Sequence, residues 1–268
     1  MPNNQSLQQF YEQYCNWNSL STVCMTADID FAPDYMIAHL LQIFERHDVG
    51  VTFFATHDSA LLRQIEHRPE FELGIHPNLS TGSTQGTQTE QILTCLRKMF
   101  PSAFGCRFHL LHYSYRHLAE LKKRNFKYDV STLRFNCPYL VPAWHGDVGM
   151  TLLTYCWEDG VCENASRPME LKSIDLTAPG MKIINFHPMN VYLNGSDSVT
   201  RLEFLRDHPD LLNCPEKTAA RYRRKGSGAE KVLEDLLTHL SLIKCHTPKL
   251  SEMTVAFEKA YAADTREL

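Results

Sequence analysis

The feature that most constrains this chain is a repeated change of period, in which short β-prone runs ending in polar residues give way to stretches with apolar residues at helical spacing. Thr22-Val23-Cys24-Met25-Thr26 precedes a helix opened by Pro33-Asp34, with Ile37, Leu40, Leu41 and Phe44 on one face. Val51-Thr52-Phe53-Phe54 precedes a helix near residues 58–67, and Phe71 to Ile75 ends at His76. A loop from Ser80 to Gln88, marked by Gly82 and Gly86, leads to a helix carrying Ile92, Leu93, Leu96 and Phe100. Further strands are expected at Phe104 to Phe108, Lys127 to Ser131, Leu152 to Cys156 and Met181 to Phe186, with helices around Tyr115 to Arg124 and along Val232, Leu233, Leu236, Leu237 and Leu240. Repeated strand-helix units bury both faces of a parallel sheet, so the expected fold class is α/β, an irregular (β/α) barrel. At 268 residues with 43% hydrophobic composition, one large domain over 1–268 is expected, with a core at about 20–242 and helical extensions at both ends.

Composition narrows the partners. Lysine and arginine total 27 against 31 acidic residues, a net charge of -4 that offers no general attraction to nucleic acid or anionic membrane. The start has neither the cationic nor the apolar segment of a secretory signal, and no later run is apolar enough to span a bilayer, so a cytoplasmic location is expected. Nine cysteines, none in a Cys-x-x-Cys pair, read as reduced thiols and not as a disulfide framework or thiolate zinc site. Oligomeric state is left open.

In barrels of this kind the loops at the carboxyl ends of the strands converge on one mouth. The polar residues expected there are Asp28, Asp30, His57, His76, Arg107, His109, Glu158, Asp159 and His187. If the first strand runs through Ile29, the carboxylates of Asp28 and Asp30 point to the same side. Two close acids resist joint ionisation unless a cation offsets the repulsion; a divalent metal on one would leave the other free as a base. His76 and His187 each follow an apolar strand and precede a proline, which ends the regular chain and leaves the ring at the mouth.

Thr26-Ala27-Asp28-Ile29-Asp30, Gly74-Ile75-His76-Pro77-Asn78, Arg107-Phe108-His109, Trp157-Glu158-Asp159 and Asn185-Phe186-His187-Pro188 occur in an order that resembles the NodB-homology polysaccharide deacetylases, carbohydrate esterase family 4, and most of all their WbmS-like branch associated with O-antigen loci. The resemblance runs from about residue 20 to about residue 240 and implies a (β/α)7-type barrel. It implies Asp28 as catalytic base, Asp30 and His76 as ligands of a divalent ion of the Zn2+ type, Arg107 as the group orienting the base, and His187 as general acid tuned by Asp159. The resemblance also implies Trp157 stacking on a sugar face, and Glu158 and Asn190 are further candidate substrate contacts. The implied activity is removal of an N-acyl group, usually acetyl, from an amino sugar of a surface-polysaccharide precursor.

The chain departs from the family pattern four residues after His76, where Ser80 stands in place of a second histidine, and again at Gln85 and Asn190. The third ligand therefore stays open among Asn78, Gln85, His109 and water. Two other readings remain: an amidase acting on a ureide or an N-formyl sugar, and a catalytically silent carbohydrate- or partner-binding protein. The basic run Arg221 to Lys225 reads as a solvated loop.

Overall fold

The computed structural model describes residues 6–265. Nine strands form one sheet: β1 (Leu20–Asp28), β2 (Val51–Ala55), β3 (Phe71–Ile75), β4 (Gly105–Cys106), β5 (Tyr128–Leu133), β6 (Ala143–His145), β7 (Met150–Tyr155), β8 (Trp157–Glu158) and β9 (Gly180–Phe186). Their spatial order is β6-β7-β5-β4-β3-β2-β1-β9-β8. All neighbours run parallel except β6, which pairs antiparallel with β7. Strands β7 and β8 belong to one run of chain, and it changes partner along its length. Met150–Tyr155 pairs with β5, whereas Trp157–Glu158 pairs with β9. Between them the Cys156 N–H donates to the Ile183 carbonyl at 2.9 Å. The sheet thus curls back on itself as an irregular barrel of seven parallel positions, the class expected from the alternation.

The described helices are α1 (Leu7–Tyr14), α2 (Asp34–Glu45), α3 (Ala60–Glu66), α4 (Thr89–Met99), α5 (Tyr115–Lys123), α6 (Asp159–Asn164), α7 (Pro188–Leu193), α8 (Ser198–Asp207), α9 (Glu216–Ala219), α10 (Ala229–Leu242) and α11 (Leu250–Asp264). Helix α2 buries Met36, Ile37, Leu40, Leu41, Ile43 and Phe44, a stripe worth roughly 1.5–3 kcal/mol per side chain. Alternation in β2 sends adjacent phenylalanines to opposite layers: Phe53 meets Phe44 and Phe71 outside the barrel, while Phe54 lies against Arg107 and Tyr128 inside it. A Cβ on Gly105 would lie 2.0 Å from the Tyr128 ring, so only glycine lets β4 come this close to it. Helix α1 packs on α11 through Phe10 and Phe257. No helix among the described residues is long and apolar enough to cross a membrane.

Several elements escaped the periodicity. Strand β4 is two residues long where five were expected, because the chain leaves the sheet at Arg107. Strands β6 and β8 and helices α6 to α9 were not anticipated, whereas α1 and α11 are helices in the extensions expected at the two ends; short or all-round buried segments such as α7 carry no readable period.

Candidate active site

At the carboxyl ends of the strands Asp30, His109, Glu158 and His187 line a cavity of about 560 Å³, with Asp28, His76, Arg107 and Asp159 buried. The first pair does so by a route other than pleating. Strand β1 stops at Asp28, and Asp30 and Phe31 both adopt left-handed backbone, with φ of 46° and 58°. Such angles are costly for residues with a Cβ and persist only where the surroundings enforce them. Here Phe31 N–H donates to Thr56 Oγ1 at 2.9 Å and Ala32 N–H to the Ile29 carbonyl at 2.8 Å. This turn, and not a continuing strand, brings the Asp30 carboxylate to the side on which Asp28 lies.

Asp28 is 3% exposed and each of its oxygens is held by a different donor. Arg107 Nη1 donates to Oδ1 at 3.0 Å, and Asn185 Nδ2 donates to Oδ2 at 2.9 Å. The Arg107 guanidinium is fully buried, sandwiched between the Phe54 and Tyr155 rings, and it also donates to Asn185 Oδ1 and Thr26 Oγ1. Reading the sequence had not singled out Asn185; its only signal was its place two residues before His187, on the same side of β9.

Around Asp30 three donors converge. Its Oδ1 lies 3.0 Å from His76 Nε2 and 2.9 Å from His109 Nδ1, and the two ring nitrogens are 3.3 Å apart. His76 Nδ1 lies 2.7 Å from the Arg107 carbonyl oxygen, which can only accept, so Nδ1 carries the proton and Nε2 presents its lone pair to the carboxylate. Burial opposes charge on Asp30, but His109, His76 and His187 outweigh it and hold the carboxyl well below the usual range. His109 is likewise lifted, Asp30 overcoming the cost of burial. The lone pairs of His76 Nε2 and Asp30 Oδ1 face each other at 3.0 Å, and a cation between them would satisfy both, with His109 Nδ1 deprotonated to join them. Ligands placed tetrahedrally at ~2.0–2.1 Å around a zinc-type ion lie about 3.3 Å from one another, close to the spacings seen. One carboxylate and two imidazoles therefore fit a divalent ion.

The other groups raised as a third ligand have different partners. Gln85 Oε1 accepts from the Asn78 N–H at 2.7 Å, and its Nε2 donates to the Thr56 and His76 carbonyls. Gln85 thus braces the loop after β3. Asn78 Oδ1 accepts from the Ser80 N–H at 3.0 Å. His109 reaches Asp30 because Leu110 and Leu111 turn the chain through left-handed angles directly after it.

On the opposite wall His187 ends β9 and caps α7. Asp159, fully buried at the start of α6, accepts both the His187 backbone N–H and the ring Nδ1–H. The free Nε2 lies 3.6 Å from Asp30 Oδ2 and 4.0 Å from Asp28 Oδ2. Burial disfavours the imidazolium, but Asp159, Asp30 and Glu158 prevail and raise it well above the ordinary histidine value. Glu158 lines the cavity and accepts from Tyr155 Oη at 2.7 Å; burial pushes its carboxyl up against the pull of His187. Asn190 also lines the cavity. Trp157 does not: it is 0% exposed and packs on Phe186 in the core, so no ring face is open to a sugar. Alternation along β8 explains the difference, since it turns Glu158 to the mouth and Trp157 away.

A profile of the WbmS-like polysaccharide deacetylases matches residues 25–203, the stretch that holds every one of these groups. The chain belongs to this family. Members of the polysaccharide deacetylase family, carbohydrate esterase family 4, are metal-dependent hydrolases that act on carbohydrates. Among solved structures, a Bordetella bronchiseptica protein assigned as a polysaccharide deacetylase involved in O-antigen biosynthesis is 26% identical, with a TM-score of 0.72 over 84% of this chain and 92% of that one. A Mycobacterium smegmatis protein assigned as a polysaccharide deacetylase shares the fold, at 15% identity and a TM-score of 0.57 over 91% of each chain. No curated protein matches this deacetylase-family chain in sequence.

Proposed function

We propose that this chain is a metal-dependent deacetylase that removes an N-acetyl group from an amino sugar of a surface-polysaccharide or O-antigen precursor. The observation that carries the reading is the convergence of Asp30 Oδ1, His76 Nε2 and His109 Nδ1 within 3.3 Å of one another, with His187 Nε2 3.6 Å from Asp30 and 4.0 Å from Asp28. Asp30, His76 and His109 would hold a divalent ion of the zinc type, which when bound supplies polarisation of the amide carbonyl and acidification of a water.

The chain's own residues supply the proton transfers. Asp28, with Arg107 on one oxygen and Asn185 on the other, is oriented to accept the proton of the attacking water. His187, with Nδ1–H committed to Asp159, directs Nε2 to the opposite side and delivers a proton to the departing nitrogen. Without that proton the leaving group would be an amide anion, far too basic to depart near neutral pH. The products are acetate and a free amino sugar.

Support comes from the family membership and from the 26%-identical Bordetella protein assigned to O-antigen biosynthesis. The test is acetate release from N-acetylated amino sugars by the zinc-supplied protein. Asp28→Asn should abolish release with the fold intact; undiminished release in that variant would refute the mechanism.

A further inference from the structure

A second set of polar side chains lies along the cavity beyond His187 and has no part in the proton transfers. Helix α6 begins with Asp159, the partner of His187, and carries Glu163 one turn later, about 6 Å further along the same face. From α8, Arg201 reaches across to it. Its Nε donates to Glu163 Oε2 at 3.0 Å and its Nη2 to Asn164 Oδ1 at 2.6 Å. The third edge, Nη1, has no hydrogen-bond partner among the described residues and is not sealed from solvent, and Arg201 lines the cavity.

Asn190, 2% exposed, lines the same cavity, with its Oδ1 buried and without a hydrogen-bond partner among the described residues. A buried amide oxygen left without a donor is destabilising, and such atoms in native proteins commonly await a ligand or water. Gly160 faces the same space: a Cβ there would come within 3.8 Å of His187, 3.9 Å of Glu158 Oε1 and 4.0 Å of Asn190 Nδ2.

We infer that this arm of the cavity is a subsite for a sugar bearing a carboxylate, with Arg201 Nη1 taking the carboxylate and Asn190 Oδ1 accepting a hydroxyl or amide N–H of the same ring. The inference rests on the deacetylase reading and narrows its substrate to acidic N-acyl amino sugars, the N-acyl hexosaminuronates. Arg201 is the one lysine or arginine among the described residues lining the cavity, where it stands with Asp30, Glu158 and Asp210. Its open edge offers a carboxylate a charge-assisted hydrogen bond, while the surrounding carboxylates repel a phosphate dianion more strongly than a monoanion. Burial and the nearby Asp159, opposed by Arg201 itself, lift the Glu163 carboxyl to about 7, so the arginine is incompletely neutralised from within.

The test is calorimetric binding to the full chain carrying Asp28→Asn, which blocks turnover without touching the subsite. The probes are N-acetylglucosaminuronate, N-acetylglucosamine and N-acetylglucosamine phosphate. The uronate should bind about tenfold more tightly than the neutral sugar. Adding Arg201→Gln should erase that preference, and Glu163→Gln, which removes the internal counter-charge without loss of volume, should enlarge it. The second variant decides the matter if the first fails to fold. Equal affinity for the uronate and the neutral sugar, a preference indifferent to Glu163→Gln, or tighter binding of the phosphate would overturn the inference. An intact uronate preference with no acetate release from any of the three sugars by the zinc-supplied parent chain would support the subsite and sink the hydrolase reading alone.

Discussion

Asp159 grips His187 at two points: Oδ2 accepts its backbone N–H at 2.9 Å, and Oδ1 accepts its ring Nδ1–H at 2.5 Å. The first contact sets where β9 ends and the second sets which ring nitrogen faces the cavity. Asp159→Asn removes the charge and places an amide donor against Nδ1, spoiling the tautomer. Turnover should fall by about 10²–10⁴-fold. Rates measured at matched zinc content check this, and an unchanged rate would remove His187 from the role of acid.

The shell around Asp30 separates two residues that the sequence left equivalent. His109→Ala removes one of three converging donors and should weaken zinc binding by more than about tenfold, as even indirect supports of a metal site do. Gln85→Ala loosens the loop after β3 and should lower the unfolding midpoint while leaving one ion per chain. Metal analysis after dialysis reads both variants. Loss of the ion in Gln85→Ala, with retention in His109→Ala, would reverse the assignment.

Asn185 holds the second oxygen of Asp28 and accepts from Arg107. Asn185→Leu keeps the volume but frees the carboxylate to rotate. A hydrogen bond to a charged group is worth about 1.5–3 kcal/mol, so kcat should fall about 10–100-fold with zinc content unchanged. Single-turnover rates on the folded fraction would measure this, and parental rates would show that Arg107 alone orients the base.

Asp129 gives the fold its own pH dependence. Burial, resisted by Ser131 and Arg107, raises its carboxyl from 3.8 to about 6. The folded state therefore prefers the protonated acid. No penalty exists below about pH 4, where both states are protonated; as pH rises through about 6 the folded protein must ionise a buried acid and loses up to about 3 kcal/mol. Asp129→Asn does not titrate. Its stability relative to the parent should improve by about that amount between about pH 4 and about pH 7.5, measured by urea unfolding at each pH. A pH-independent difference would show that the acid is not raised.

Much of the barrel could be read from residue order because each long element carries its own period. Leu40, Leu41 and Phe44 announce a helix whatever they pack against, and Phe71 to Ile75 announces a strand. The proline after His76 and after His187 likewise marks a strand end by local covalent geometry. Local signals failed where neighbours decide the outcome. The Trp157-Glu158-Asp159 stretch carried part of the family resemblance, yet which face of β8 Trp157 takes depends on the pairing of Trp157 with Ile184 across to β9.

Sequence alone determined the alternating α/β class, the strand-end placing of Asp28, Asp30, His76, Arg107 and His187, and the family resemblance. Only the tertiary structure decided that residues 150–158 change partner and close the barrel, that a left-handed turn carries Asp30 to the mouth, that His109 completes the donor set while Gln85 is used as a brace, and that Arg201 from α8 enters the cavity. The reason is physical. Period and propensity are properties of a few consecutive residues, whereas a donor set, a buried amide or a lone guanidinium edge exists only once segments far apart in the chain have been packed within hydrogen-bond reach.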